Sequence, residues 1–295
     1  MADLFTDLNE DYDHLFTDDY VAHDGFKLKA KTKDFTGEAA LNNGKTKLKG
    51  KLTFGVELND QKLDHTLTVK SSGEHSLETK TDLSKFIPNT TSTDTFNWNS
   101  KTQDWDFETS FENESIENTK LRLDAKVEKG GDWSATLHSG RSVCSGLSFA
   151  GDVNYDGKSK EFNNLNLGAH LTPNEWTKSW ITHTHEGKIS SSYNPIRTGV
   201  LSWHQRFTAS AATTLGFDYS LNLGDKSSTT ALGAHTTLSD GVELKGKVNH
   251  QGDIEAAAKF EVSPNWKMTL ATATHASHVN GKQEADFGIS LEGKL

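Results

Sequence analysis

The sequence predicts an all-β protein of eighteen to twenty strands, preceded by one short amphipathic helix. From Gly25 onward, apolar and polar side chains alternate with a period of two, which is typical of strands with one apolar and one polar face. Turn-forming pairs such as Asn280-Gly281 separate the runs. Only the first two dozen residues have helical spacing. We therefore divide the chain into residues 1–24, a helix with its linker, and residues 25–295, a single β domain.

The predicted helix carries a narrow apolar stripe. The stripe consists of apolar residues that recur at helical spacing, and acidic residues occupy the other faces of the helix. Its members are Leu4, Leu8, Tyr12, Leu15 and Phe16. A stripe this narrow has to pack against another surface. We expect the sheet to close around the helix, with docking through Leu8, Tyr12, Leu15 and Phe16.

The predicted strands follow one another along the chain. In the first half, alternating runs begin at Gly25, Lys47, Leu63, Leu77, Trp105 and Leu121. In the second half they begin at Leu147, Leu165, Leu201, Leu215, Leu232, Val242, Ile254, Trp266 and Ala285. Residues Thr172–Pro195 show no clear alternation, so the register is open there. Three prolines are expected between runs because proline cannot donate to a ladder: Pro88, Pro173 and Pro264.

Composition excludes several classes of protein. No stretch approaches the ~20 apolar residues of a membrane-spanning helix, and the acidic N-terminus lacks the features of a secretory signal or a cleaved presequence. The single cysteine, Cys144, excludes an internal disulfide framework. The net charge is −10, and residues 1–26 hold eight acidic residues and no Lys or Arg. Because the rest is almost neutral and lacks a basic stripe, nucleic acid is not an expected partner.

Two architectures fit the alternation. One is a soluble sandwich or barrel that encloses its apolar face and binds a ligand, and the other is a membrane barrel that exposes this face to lipid. Many apolar-face positions are Thr, Ala or Gly, which a lipid-facing surface tolerates better than a packed core does. Three tryptophans (Trp98, Trp133 and Trp266) fall near inferred strand ends, where an aromatic girdle is expected. Alternation alone leaves both architectures open.

Both ends of the chain resemble the mitochondrial porins, the voltage-dependent anion channels. The first 35 residues contain Asp7-Leu8, Leu15-Phe16-Thr17-x-x-Tyr20 and an alternating run from Gly25 to Lys33 in the order of that family. The last 60 residues contain two similar segments, Gly241 to Asn249 and Ser263 to Leu270, followed by a turn at Asn280. Between these ends the similarity is one of pattern and length.

The resemblance implies a transmembrane β-barrel of about nineteen strands, with the N-terminal helix inside the lumen. It also implies the mitochondrial outer membrane as the location, and metabolites and ions as the molecules in transit. A C-terminal insertion signal of this family maps onto Asp286, Gly288 and Leu291, although Gly293 replaces its last apolar residue. The helix of that family carries basic residues, whereas the N-terminal segment of this chain has acidic residues and no Lys or Arg. We therefore expect weak cation selectivity or none, and no nucleotide binding.

Two lysine rows are expected to line part of the lumen if their apolar neighbours face lipid. We call them the lysine wall, which consists of Lys27, Lys29, Lys31, Lys33, Lys47, Lys49 and Lys51. The acidic helix is predicted to dock on this wall through opposite charge. The alternative is that both rows are simply solvated strand faces.

Other chemistry is not indicated. Neither His183-x-His185 nor His275-x-x-His278 has the further ligands that complete a metal site. Asp104, Asp106 and Glu108 are better explained as lumen charges than as acid–base catalysts. We therefore expect neither an enzyme nor a cofactor or metal. The expected function is a channel whose partners are the lipid bilayer, the metabolites and ions in transit, and other barrels or mitochondrial membrane complexes. The alternative is a non-conducting structural subunit of a larger mitochondrial membrane assembly.

Overall fold

The structure, a computed structural model, is an all-β barrel of nineteen strands. It describes residues 25–42, 45–58, 61–189, 194–195, 198–276 and 285–294, together with Leu4 and Leu15. The strands are β1 (Gly25–Lys31), β2 (Phe35–Asn42), β3 (Lys45–Leu58), β4 (Gln61–Lys70), β5 (Glu74–Asp82), β6 (Thr90–Asn99), β7 (Trp105–Asn113), β8 (Thr119–Glu128), β9 (Trp133–Cys144), β10 (Leu147–Asp156), β11 (Glu161–Asn174), β12 (Thr177–Lys188), β13 (Val200–Ser210), β14 (Thr213–Asn222), β15 (Ser228–Thr237), β16 (Glu243–Asn249), β17 (Asp253–Ser263), β18 (Trp266–His275) and β19 (Asp286–Lys294).

The barrel closes between its first and last strands. Each strand pairs antiparallel with the next one along the chain, whereas β1 and β19 pair in parallel, with Leu28 opposite Leu291. A parallel seam is the necessary result of closing an odd number of up-and-down strands. Closure leaves no unpaired sheet edge, so the backbone hydrogen bonds of the ladder are satisfied within the protein.

Four strands were missed by the alternation analysis: β2, β6, β9 and β12. The outward positions of β2 include Gly37 and Ala39, and β6 is rich in threonine, so neither has a row of bulky apolar residues. The region left open by the sequence contains β12, whose Ile181 pairs with Ala169 of β11. These strands are held by pairing on both sides rather than by their own hydrophobic pattern.

The expectation that Pro173 lies between strands was wrong. It lies inside β11, where the register with β12 shifts between Leu171 and Asn174. A proline is tolerated there because a bulged residue does not donate to the ladder. Pro88 and Pro264 lie between strands as expected.

The two faces of the wall differ in composition. On one face large apolar side chains are exposed all around the barrel, for example Phe96, Leu137 and Phe149 at 40%, 51% and 48%. On the other face, polar and small residues alternate with them. We call these the outer face and the lumen face. Tryptophans begin β7, β9 and β18, and Trp98 is the penultimate residue of β6, as expected for an aromatic girdle.

The predicted N-terminal helix lies outside the described residues, apart from two leucines of its stripe. Leu4 is 1% exposed and Leu15 is 5% exposed. Leu8, Tyr12 and Phe16 are not described. Within the described part of the chain, no helix is long and apolar enough to span a membrane.

Candidate functional site: the lumen wall

The lysine wall occupies two strands that do not touch. Lys27, Lys29 and Lys31 lie on β1, and Lys33 lies in the following turn. The second row (Lys47, Lys49 and Lys51) lies on β3. The unexpected strand β2 separates the rows, so that its Glu38 pairs in register with Lys29 on one side and with Lys49 on the other. The wall is therefore interrupted by an acidic residue.

Neighbouring carboxylates offset much of the charge of the first row. Lys27 Nζ lies 3.3 Å from an oxygen of Glu38, and Lys29 Nζ lies 3.0 Å from Glu292 across the seam. The side chains of the two lysines are 38% and 34% exposed. Ion pairs of this exposure contribute little stability. They do reduce the positive potential that this part of the lumen presents.

Acidic and basic side chains also alternate across β7 and β8. Lys126 Nζ lies 3.3 Å from Glu108 and 3.8 Å from Asp106, two of the carboxylates assigned to the lumen from the sequence. The third, Asp104, precedes β7 and lies 3.8 Å from Lys129. These carboxylates are arranged as ion-pair partners, and the lumen face of β7 and β8 has more carboxylates than basic groups, so this side of the wall is not positively charged.

A half-buried polar cluster crosses β8 to β11. His138 Nε2 lies 3.0 Å from Asp124, and its Nδ1 lies 3.8 Å from Asp152. Arg122 Nε donates to Asp124 at 2.7 Å, and the Asn166 amide donates to Asp152 at 2.8 Å. Asp124 is thus hydrogen-bonded on both sides, whereas Asp152 is hydrogen-bonded to Asn166 and has the His138 ring as a more distant neighbour. The sequence indicated the charged face of β8 but not this cluster, because β9, which carries His138, was not recognised as a strand.

A second imidazole–carboxylate pair lies further along the lumen face. His204 Nδ1 of β13 is 2.8 Å from an oxygen of Asp218 on β14. On the neighbouring strands, the rings of His170 and Trp180 stack at 5.1 Å. The four residues form one row across β11 to β14. Trp180 is 2% exposed, so the lumen wall is covered at this point.

The buried lumen-face residues are confined to one part of the wall, which we call the covered arc. It runs from β9 to β18. Its buried side chains are His138, Ser148, Ala150, Asp152, Trp180, Thr182, Ser202, His204, Thr214, Lys245, Ala257, Thr269 and Ala271. The described lumen-face residues of β1 to β8 include no buried side chain. Lys245 is only 6% exposed although it faces the lumen.

The residues of the insertion signal all lie on β19. Asp286 is its first residue, Gly288 pairs with Gly25 of β1, and Leu291 faces outward beside Leu28. Gly293, the position that departs from the family pattern, lies opposite Trp266. A Cβ at Gly293 would be 2.5 Å from the Trp266 ring, so this position has no room for a larger residue unless the ring moves.

The histidine pairs noted in the sequence are not assembled into a site. His183 and His185 share the outer face of β12, where His183 Nε2 lies 3.0 Å from the carbonyl oxygen of Thr198. His275 ends β18, and His278 lies outside the described residues. In the part of the chain that is described, no group of three or more His, Cys, Asp or Glu residues is placed to hold a metal ion.

The sequence of the chain matches a known protein family. Residues 2–288 match a family model described as eukaryotic porin. A curated relative, "Mitochondrial outer membrane protein porin 3" of Arabidopsis thaliana, is 26% identical over 153 residues, which cover 52% of this chain and 51% of the relative. The chain thus matches about half the length of this relative.

Similar solved structures are mutants of a porin from Rh. blastica. One is 11% identical, covers 72% of this chain and 86% of its own, and has a TM-score of 0.48. Another is 10% identical, covers 86% and 90%, and has a TM-score of 0.47.

Proposed function

Because the chain belongs to the eukaryotic porin family, a family of pore-forming channel proteins, we propose that it is a passive diffusion pore of the mitochondrial outer membrane. The observation that carries this proposal is the distribution of side chains in a closed barrel. The outer face exposes large apolar residues, as lipid requires, and the lumen face is polar. The soluble alternative required the apolar face to be enclosed, and this face is exposed.

We propose that small metabolites and ions pass without strong anion preference. The lysine rows are interrupted or neutralised by Glu38 and Glu292, and the lumen face of β7 and β8 carries more carboxylates than basic groups. The eight acidic residues within residues 1–26 add negative charge. Since charge in a narrow lumen acts strongly on permeating ions, this composition favours weak cation selectivity or none.

The N-terminal segment is proposed to lie inside the lumen. The burial of Leu4 and Leu15 supports a packed segment, and the covered arc supplies a buried surface with basic residues such as Lys245. Docking on the lysine wall remains the prediction from the sequence. Burial favours the covered arc instead, because the described lumen-face residues of β1 to β8 are not buried.

The test is the conductance of purified protein in a planar bilayer under a KCl gradient. We expect stable, large conductance and a reversal potential near zero or slightly cation-favouring. Strong anion selectivity would contradict the charge argument. Reproducible insertion without current would contradict the pore and support the second candidate.

The second candidate is a non-conducting barrel that serves as a structural subunit of a larger mitochondrial membrane assembly. The covered arc favours it, because a segment that buries part of the lumen wall also narrows the lumen. In either case the proposed partners are the lipid bilayer and, for the subunit, other membrane proteins. Neither proposal assigns the barrel catalysis or a cofactor, and neither involves nucleic acid.

A further inference from the structure

The outer face carries one carboxylate in the middle of a strand. Asp94 is the fifth of the ten residues of β6 and shares its face with Phe96 and Trp98. On the outer face of the described strands, the charged side chains are Asp94 and Arg141. Arg141 pairs with Thr119, the first residue of β8, and so lies at the end of a ladder. Asp94 therefore differs from all other outward positions of these strands.

A polar patch surrounds this carboxylate. One oxygen of Asp94 accepts a hydrogen bond from the Thr109 hydroxyl at 2.7 Å, and the other accepts one from the Ser92 hydroxyl at 3.2 Å. On the other side Asp94 pairs in register with Thr79, which is hydrogen-bonded to His65 at 3.0 Å. We call these five residues the outer polar patch. It crosses four adjacent strands, β4 to β7.

Apolar side chains border the patch on one side of every strand. Leu77, Phe96 and Phe107 form the next outward row on one side, with exposures of 37%, 40% and 39%. Phe111 lies on the other side and is 44% exposed. The polar surface continues from the patch to Thr81 and Thr90, at the end of β5 and the start of β6. Toward the other end of these strands, and on β7, the neighbouring outward side chains suit hydrocarbon.

An ionised carboxylate at this depth is costly unless it is paired. Charged residues in a bilayer are retained where they meet a partner or serve a function. The two hydroxyl donors satisfy part of the carboxylate, but each oxygen keeps a lone pair for a further donor. A long basic side chain on a neighbouring membrane segment could supply both the donor and the opposite charge.

A second copy of this barrel does not supply that partner. Its one outward-facing Lys or Arg in the described strands, Arg141, lies at the end of the β8–β9 ladder and at the third residue pair of the β9–β10 ladder. Asp94 is central in both of its ladders, so the two groups do not lie at matching depth. We therefore propose that the outer polar patch is the docking site of a membrane-spanning helix from another protein, which carries a Lys or Arg at mid-membrane depth. A helix satisfies its own backbone hydrogen bonds in lipid, so it can lie against the convex wall and contribute a single cation.

The test uses synthetic helices as probes. The barrel is labelled with a fluorophore at Cys144, its single and exposed cysteine, and reconstituted in vesicles at neutral pH. Three acceptor-labelled helices of ~20 apolar residues, a length that spans the bilayer, carry Lys, Leu or Glu at the centre. Energy transfer as a function of peptide density then gives the relative association of each helix.

We expect the Lys helix to associate with the wild-type barrel roughly fivefold more strongly than the Leu or Glu helix, about the effect of one polar contact between membrane segments. Asp94→Asn should abolish this preference, and Asp94→Glu should retain it. The matched control is Asp64→Asn, which makes the same change on the lumen face of β4 and should leave the preference intact.

Equal association of the three helices with the wild type would overturn the proposal, as would a Lys preference that persists in Asp94→Asn. Energy transfer between barrels alone that is lost in Asp94→Asn would also overturn it, because the occupant would then be a second copy. Circular dichroism checks that each variant is folded. Conductance of Asp94→Asn should equal that of the wild type, so a failure of the pore and a failure of the docking site remain distinguishable.

Discussion

The Glu292 carboxylate lies 3.0 Å from the Lys29 ammonium group and joins the last strand to the first across the parallel seam. Both side chains are partly exposed, at 47% and 34%. Lys29→Glu should lower the free energy of unfolding by about 0.5–1 kcal/mol, because an ion pair of this exposure is replaced by a repulsive one. The double variant Lys29→Glu/Glu292→Lys should recover most of the loss. Urea unfolding in vesicles measures both, and no recovery in the double variant would mean that the pair is not coupled.

Deletion of residues 1–24 should shift the reversal potential toward anions. The segment contains all eight acidic residues of the N-terminal region and no Lys or Arg, so its removal leaves a nearly neutral wall. The measurement is the reversal potential of the deleted and complete barrels under the same KCl gradient. An unchanged potential would show that the segment does not contribute to the field along the ion path.

Charge reversal can identify the wall on which the N-terminal segment docks. Lys245→Glu/Lys259→Glu changes Lys245 of the covered arc and Lys259, a lumen-face residue of the adjacent strand β17. Lys47→Glu/Lys49→Glu is the matched change on the lysine wall. We expect the first pair to accelerate proteolysis of residues 1–24 severalfold, because Lys245 is buried and its reversal places like charges in contact with an acidic segment. The second pair should have little effect. The opposite result would restore the lysine wall as the docking surface.

Removal of the His138 imidazole should destabilise the barrel. His138→Leu takes a hydrogen-bond partner from Asp124 and removes the imidazole that lies 3.8 Å from Asp152, which is only 8% exposed. Loss of a partner by a buried polar group costs about 1–3 kcal/mol. Urea unfolding monitored by tryptophan fluorescence measures the change. Lys62→Gln is a control that removes an exposed ion pair, and its free energy of unfolding should stay within about 0.5 kcal/mol of the wild-type value. Equal stability of the His138→Leu and Lys62→Gln variants would exclude an important role for the cluster.

Restoring an apolar residue at Gly293 should impair the barrel rather than improve its insertion. The family pattern ends in an apolar side chain, but a Cβ at this position would be 2.5 Å from Trp266. Gly293→Leu should therefore lower the temperature of unfolding and the yield of insertion. Adding Trp266→Ala should recover part of the stability because it makes room for the side chain. Better insertion of the single variant would contradict this steric explanation.

The alternation of apolar and polar residues predicted most of the strands, because bulky apolar side chains occupy their outward positions. Runs such as Lys47–Leu58 coincide closely with a strand of the barrel, β3. The pattern did not predict β2 and β9, where small outward residues such as Gly37 and Ala135 interrupt the row of large apolar side chains. These strands are stabilised by hydrogen bonds to the strands on both sides. Such pairing joins distant parts of the sequence, so a short stretch of sequence does not reveal it.

The lumen contacts were harder to predict than the strands. The sequence assigned two lysine rows to one surface, whereas the rows lie on β1 and β3 with β2, which was not predicted, between them. The contact between His138 and Asp152 likewise depends on the register of two neighbouring strands. The sequence did not indicate Asp94, because β6 is rich in threonine and has no clear apolar alternation. Its face follows from Phe96, two residues further along β6, which pairs with the outward-facing Leu77 and Phe107.

The odd number of strands has a topological consequence for anything attached to the ends of the barrel. Since β1 and β19 run in the same direction, the chain enters the wall at Gly25 on one side and leaves it after Lys294 on the other. In the proposed membrane location, a reporter placed directly before Gly25 and one fused after β19 are therefore on opposite sides of the bilayer. Protease added to one compartment should reach only one of them, which makes the orientation of the protein in its membrane directly readable.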